Sequence, residues 1–145
     1  MIVLDSYAVL AHLKDEPAAP AVAALLEGSD EVRLTAVGVA EVLDHLVRVV
    51  GVDPEDAALD VAQLSLAEAL PVEPAAGLRA SLLRARHYHR RDRAVSLADC
   101  IAADAARSWE ARLATSDPHL LDLCEAEGIG VLPLPDTTGA TWRRR

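Results

Sequence analysis

Four carboxylates stand where they could act together. Asp5 closes the apolar run Met1-Ile-Val-Leu, and Glu41 lies inside the apolar stretch Val39-Ala-Glu-Val-Leu43. Asp99 follows Ser96 by three residues, and Asp117 comes directly after Arg112-Leu-Ala-Thr-Ser116. Clustered carboxylates repel one another, and the partner that best relieves the repulsion is a hard divalent cation. Mg2+ takes oxygen ligands, keeps several waters and bridges to phosphates. Sites of that kind hydrolyse phosphodiesters by activating water and neutralising the charge that develops. A blander reading competes: acids near helix amino ends are stabilised by capping and by the macrodipole, by roughly 0.5–2 kcal/mol each. Asp117 before Pro118 suits an N-cap, and Asp99 can complete a capping box with Ser96. Glu41 is explained least by capping, because a lone charge among apolar neighbours is costly unless paired or bound to a cation. Asp44 shares a helix face with Glu41 but reads as solvated, and Asp104, five residues after Asp99, matches one face poorly. His45, His87, His89 and His119 lack metal-ligand spacing, as do Cys100 and Cys124. The two cysteines read as small core residues of a reduced chain.

Positioning those acids falls to an alternation of strands and helices. The β-branched run before Asp5 reads as a strand buried on both faces, the kind found in parallel sheets. Asp5 then sits at a strand carboxyl end, the edge where open α/β sheets bind ligands. Further strands are expected at residues 31–35, 70–73, 112–115 and 129–132, the second of these weak because of Pro71. Helices are expected at 6–14, 20–27, 37–50, 53–68, 75–89, 96–108 and 117–128. This pattern indicates an α/β fold, a parallel sheet with helices on both faces joined by right-handed crossovers. Strand carboxyl ends and the amino ends of following helices share one edge of such a sheet. Asp99 joins the other acids only if its helix points its amino end there. Residues 1–133 are expected to form one domain and 134–145 a flexible, basic tail.

Composition narrows the class. A chain of 145 residues suits one domain with a full core. At 52% hydrophobic residues disorder is excluded, and with no Phe the core must be Leu, Val, Ile and Ala. A net charge of -9 argues against nucleic-acid binding by bulk charge. The segment RARHYHRRDR qualifies that, because Arg84, Arg86, Arg90, Arg91 and Arg93 could neutralise phosphates. A solvated helix end beside a loop, or a surface for an acidic partner segment, is the equal alternative. The opening apolar run is too short and too soon charged for a signal peptide or membrane span, which suggests a cytoplasmic protein.

Four segments carry a resemblance to a known family: Ile2-Val-Leu-Asp-Ser6 with its helix through Leu13, Val39-Ala-Glu-Val-Leu43, Ser96-Leu-Ala-Asp-Cys100 and Leu113-Ala-Thr-Ser-Asp117. In order and spacing they resemble the PIN domain, in the form found in VapC-type toxins of bacterial toxin–antitoxin pairs. The segment around Asp99 is the most specific and that around Asp117 the next. The resemblance implies a three-layer α/β/α fold with a five-stranded parallel sheet of order 3-2-1-4-5. It implies a catalytic metal site of Asp5, Glu41, Asp99 and Asp117 holding Mg2+ or Mn2+. The implied activity is that of an endoribonuclease toxin, hydrolysing RNA by metal-activated water to leave 5′-phosphate and 3′-hydroxyl ends. Ser6 and Ser116 would support the site through hydrogen bonds to water or phosphate, or else only cap helices. A homodimer and a cognate antitoxin covering the site are implied too, with the five arginines contacting RNA or antitoxin. His119 stands where some relatives place another acid.

Two other folds that open on a strand ending in Asp fit these residues less well. A haloacid-dehalogenase-type phosphatase needs a second Asp where Tyr7 stands, and it wants a downstream lysine where Lys14 is the only lysine. A receiver domain fails on the same lysine and on the missing acidic pair. A DNA-cleaving PIN nuclease and a non-cleaving PIN scaffold that binds RNA or a partner remain as alternatives.

Overall fold

The computed structural model describes residues 1–143. Strand β1 (Ile2–Leu4) is the centre of the sheet, and its side chains are 0–1% exposed. It pairs in parallel with β2 (Val32–Arg33), Ile2 opposite Val32, and with β3 (Arg112–Thr115), Val3 opposite Leu113. Beyond β3 lies β4 (Val131–Pro133), Leu113 opposite Val131. The order is β2-β1-β3-β4, so the parallel α/β architecture holds, but the sheet has four strands among the described residues and not the expected five in order 3-2-1-4-5. The missing strand is the one around residues 70–73. Leu70 makes a single parallel bridge to Thr35 beside β2, donating its N–H to the Leu34 carbonyl (2.8 Å) and accepting from Ala36 N–H (2.8 Å). Pro71 then has no N–H with which to extend the ladder.

Alternation along β1 sends its side chains to opposite faces. Ile2 and Leu4 join a core with α1 (Ser6–Leu13), α2 (Ala19–Glu27), α3 (Ala36–Asp44) and α4 (Pro54–Ala62). Val3 joins a second core with α5 (Pro74–His87), α6 (Leu97–Ser108) and α7 (Pro118–Ala126). The result is three layers, helices on either side of the sheet. Both cores are aliphatic, and fully buried Cys100 and Cys124 lie in the second.

Three helices depart from the sequence expectation. The helix expected over 37–50 is α-helical only to Asp44 and continues as a π-helical turn, His45–Val50, which Gly51 ends at φ +84°. Only a residue without Cβ adopts that backbone freely. Helix α4 stops at Ala62, short of residue 68, and Leu64 turns into the first core. Helix α5 ends at His87, and His89 then bridges to Arg93 in a short antiparallel turn. After β4, Leu134 is buried and donates its N–H to the Thr115 carbonyl (2.9 Å). Asp136 accepts from Thr138 and Ala140, and the Trp142 indole donates to Asp122 (2.8 Å). Arg144 and Arg145, the end of the expected basic tail, lie outside the described residues. Among those described, no helix is long and apolar enough to cross a membrane.

Candidate active site

Asp5 leaves β1 as the N-cap residue of α1, its backbone N–H held by the Ala114 carbonyl of β3 (3.0 Å). Its side chain is 5% exposed and does not cap the helix. Instead it accepts a hydrogen bond from Thr115 Oγ1 (2.7 Å). Thr115 ends β3, is fully buried, and accepts in turn from the Asp117 N–H (3.0 Å). One hydroxyl thus ties the first acid to the backbone of the fourth.

On the other flank, Ser6 Oγ donates to Glu41 Oε2 (2.9 Å) and lies 3.4 Å from Asp5 Oδ1. A serine has one proton to give, so the shorter bond to Glu41 takes it. Glu41 is placed by α3, whose start is fixed by Thr35 accepting from Gly38 N–H (2.9 Å). Asp99 opens α6 in a reciprocal capping box: Ser96 Oγ accepts from Asp99 N–H (3.0 Å), and Asp99 accepts from Ser96 N–H (2.6 Å). Asp117 caps α7 by accepting from His119 N–H (2.8 Å). The capping reading of Asp99 and Asp117 is therefore true as far as it goes.

The four acids are coupled electrostatically, chiefly through Asp99. Burial pushes the Asp5 carboxyl up to about 6; the charges of Asp99 and Asp117 add to the rise, against the Thr115 hydrogen bond. Glu41 is raised by burial and then by Asp99, against Ser6. Asp117 is raised by burial and by Asp99. All three acids feel Asp99, whose helix α6 packs against β1, β3 and α3. Among the described residues, no three His, Cys, Asp or Glu side chains close around a point as metal ligands do. Two of the four acids are turned onto backbone N–H groups of their own helix ends. The donor set itself suits a hard cation: all oxygen, mutually repelling, with a buried carboxylate at its centre.

Ser116 lines a cleft beside Asp117, together with Tyr7 and Pro135. Three of the five arginines are engaged with the protein. Arg84 donates to the Val95 carbonyl (3.0 Å) and lies over the Tyr88 ring (4.3 Å). Arg86 pairs with Glu127 (3.1 Å), and Arg93 meets His87 Nδ1 at 2.8 Å. Arg90 and Arg91 are exposed in the turn between His89 and Arg93. That turn reaches the acidic edge, where His119 Nδ1 lies 3.2 Å from the Asp92 carbonyl oxygen. Sequence reasoning missed Thr115; its one signal is a hydroxyl two residues before Asp117 at a strand's end. It also underrated Asp104, which is 1% exposed and held by Arg79 (2.9 Å) and Arg107 (3.0 Å), away from the site.

Compared with known proteins, residues 2–126 match the family model described as the PIN domain. No curated protein matches the chain. Among solved structures, it is similar to VapBC2 from Rickettsia felis bound to a DNA fragment from their promoter, with a TM-score of 0.68 at 15% identity over 92% of this chain and 99% of that one. It is also similar to FitAcB from Neisseria gonorrhoeae, with a TM-score of 0.64 at 19% identity over 90% of this chain and 96% of that one. At these identities the likeness is one of fold.

Proposed function

This chain belongs to the PIN domain family, and on that premise we propose that it is a Mg2+- or Mn2+-dependent endoribonuclease, the toxin of a type II toxin–antitoxin pair. The observation that carries the reading is buried Asp5, flanked by Ser6–Glu41 on one side and Thr115–Asp117 on the other, with Asp99 felt from both. Asp5, Glu41, Asp99 and Asp117 are the residues that would hold the metal. Mg2+ or Mn2+, when bound, supplies a Lewis acid that lowers the pKa of water and offsets charge on a phosphodiester.

The chain's own groups divide the remaining work. Thr115 orients the Asp5 carboxylate and fixes the Asp117 backbone, while Ser6 orients Glu41. Burial of Asp5 keeps bulk water from screening the cation's field. Arg90 and Arg91, exposed beside the acidic edge, draw the RNA backbone toward it, and Arg84, Arg86 and Arg93 shape the segment that presents them. A cognate antitoxin covering the site, a homodimer and a cytoplasmic location complete the proposal.

The test is cleavage of end-labelled structured RNAs with Mg2+, Mn2+ or EDTA, comparing wild type with Asp5→Asn and Asp99→Asn. Metal-dependent cuts that disappear in both variants support the reading. Metal-independent cutting, or equal cutting by the variants, overturns it.

A further inference from the structure

We propose that Tyr7 is a stacking platform for an unpaired nucleobase next to the phosphate held at the acids, an inference that rests on the ribonuclease reading above. The chain's four aromatic residues, Tyr7, Tyr88, Trp109 and Trp142, all lie outside its aliphatic cores. Tyr88 lies under Arg84, Trp109 faces Arg33 at 6.0 Å, and Trp142 bonds Asp122. Tyr7 stands in the first turn of α1, two residues from Asp5, and is 62% exposed. Among the described residues its one aromatic contact is edge-on with His45, at 6.4 Å. The neighbours Ser6, Ala8, Val9, Leu10 and Ala11 are buried, so α1 turns this one ring outward at the acidic edge.

Tyr7 also divides the ground on either side of the acids. It lines a cleft of about 180 Å³ with Ser6 and Glu41, and a second of about 290 Å³ with Ser116 and Asp117. The first is polar, walled by Asp44, His45 and Arg48. In the second the other walls include Ala11, Ala18, Pro118 and Pro135, apolar surfaces suited to the flat face of a base. Its two remaining carboxylates are already engaged, Glu16 with Lys14 (2.7 Å) and Asp136 with Thr138 and Ala140. The base therefore occupies the second cleft, against Tyr7, with its phosphate beside the cation that Asp117 would help to hold. Aromatic stacking of this kind tolerates any base but demands one that has left its duplex.

The experiment measures binding of a fluorescein-labelled single-stranded oligoribonucleotide pool of random sequence, and of a duplex RNA, in the Asp99→Asn background. Tyr7→Ala, Tyr7→Phe and Tyr7→Trp are compared, with Mn2+ binding measured in parallel in the wild-type background. Loss of one stacked base corresponds to roughly 5- to 150-fold weaker binding. The expected result is that loss for Tyr7→Ala on single strands only, near-full retention by Phe and Trp, and unchanged Mn2+ binding. Equal binding by Tyr7→Ala, or a Phe variant as weak as Ala, overturns the stacking role while leaving the ribonuclease reading in place. Absence of RNA binding by both the Asp99→Asn parent and the wild type overturns both.

Discussion

Asp5 combines burial with proximity to other acids, and this sets its behaviour without metal. Its carboxyl titrates near 6 in the fold against 3.8 in an open chain. Below both values it is protonated in either state and the shift costs nothing. Between them folding takes up a proton, so stability falls as pH rises, and above 6 the full cost is present. Asp5→Asn should therefore stabilise the metal-free protein at neutral pH, by up to about 3 kcal/mol, and lose that advantage below pH 4. Thermal melts in EDTA across that range check this, and Mn2+ should raise the melting temperature of wild type alone. Thr115 is the second residue whose removal is informative. Thr115→Val keeps the shape and removes the hydroxyl, and cleavage should fall about 10- to 100-fold, as for lost partners of metal ligands. Its acid limb should move to higher pH, because the lost hydrogen bond was holding Asp5 down, while Thr115→Ser restores both. A variant with reduced cleavage but an unmoved pH profile would show Thr115 to be packing alone.

Among elements, α6 matters most to the site because its capping box holds Asp99. Ser96→Ala removes the acceptor for the Asp99 N–H and should destabilise the protein by about 1 kcal/mol, read from urea midpoints. Elements also show what could be foreseen. The β1 run, the Gly51 stop and the Asp-Pro helix starts at Asp53 and Asp117 are local signals, and each survives in the fold. The edge position at Leu70 was legible too, but Pro71 reduced the strand to one bridge. The π-helical turn after Asp44 was not legible, because His45–Val50 has the same apolar spacing as an α-helix. Four acids at one sheet edge follow from parallel topology. Their turning onto helix-end N–H groups, and the Thr115 link between two of them, depend on side-chain geometry that spacing does not encode.

At the scale of the molecule, the ribonuclease proposal requires a chain of net charge -9 to bring a polyanion to an acidic edge. The exposed Arg90 and Arg91 are its local answer. Replacing both by Ala should weaken RNA binding at low salt. The salt slope should also become shallower by about 1.4, the value for two phosphate contacts on a single strand. Titrations at several salt concentrations read this directly; an unchanged slope together with weaker antitoxin binding would assign the turn to the antitoxin.

Cys100 on α6 and Cys124 on α7 are fully enclosed in the core on one side of the sheet, and burial lifts their thiols to about 11 and about 12. Neither is reachable or nucleophilic while that layer is closed. A thiol-reactive dye should therefore leave the native protein unlabelled and mark it only in moments of opening. The labelling rate becomes a clock for how often the helices part from the sheet, and slower labelling on adding Mn2+ would tell whether the acidic edge and that core breathe together.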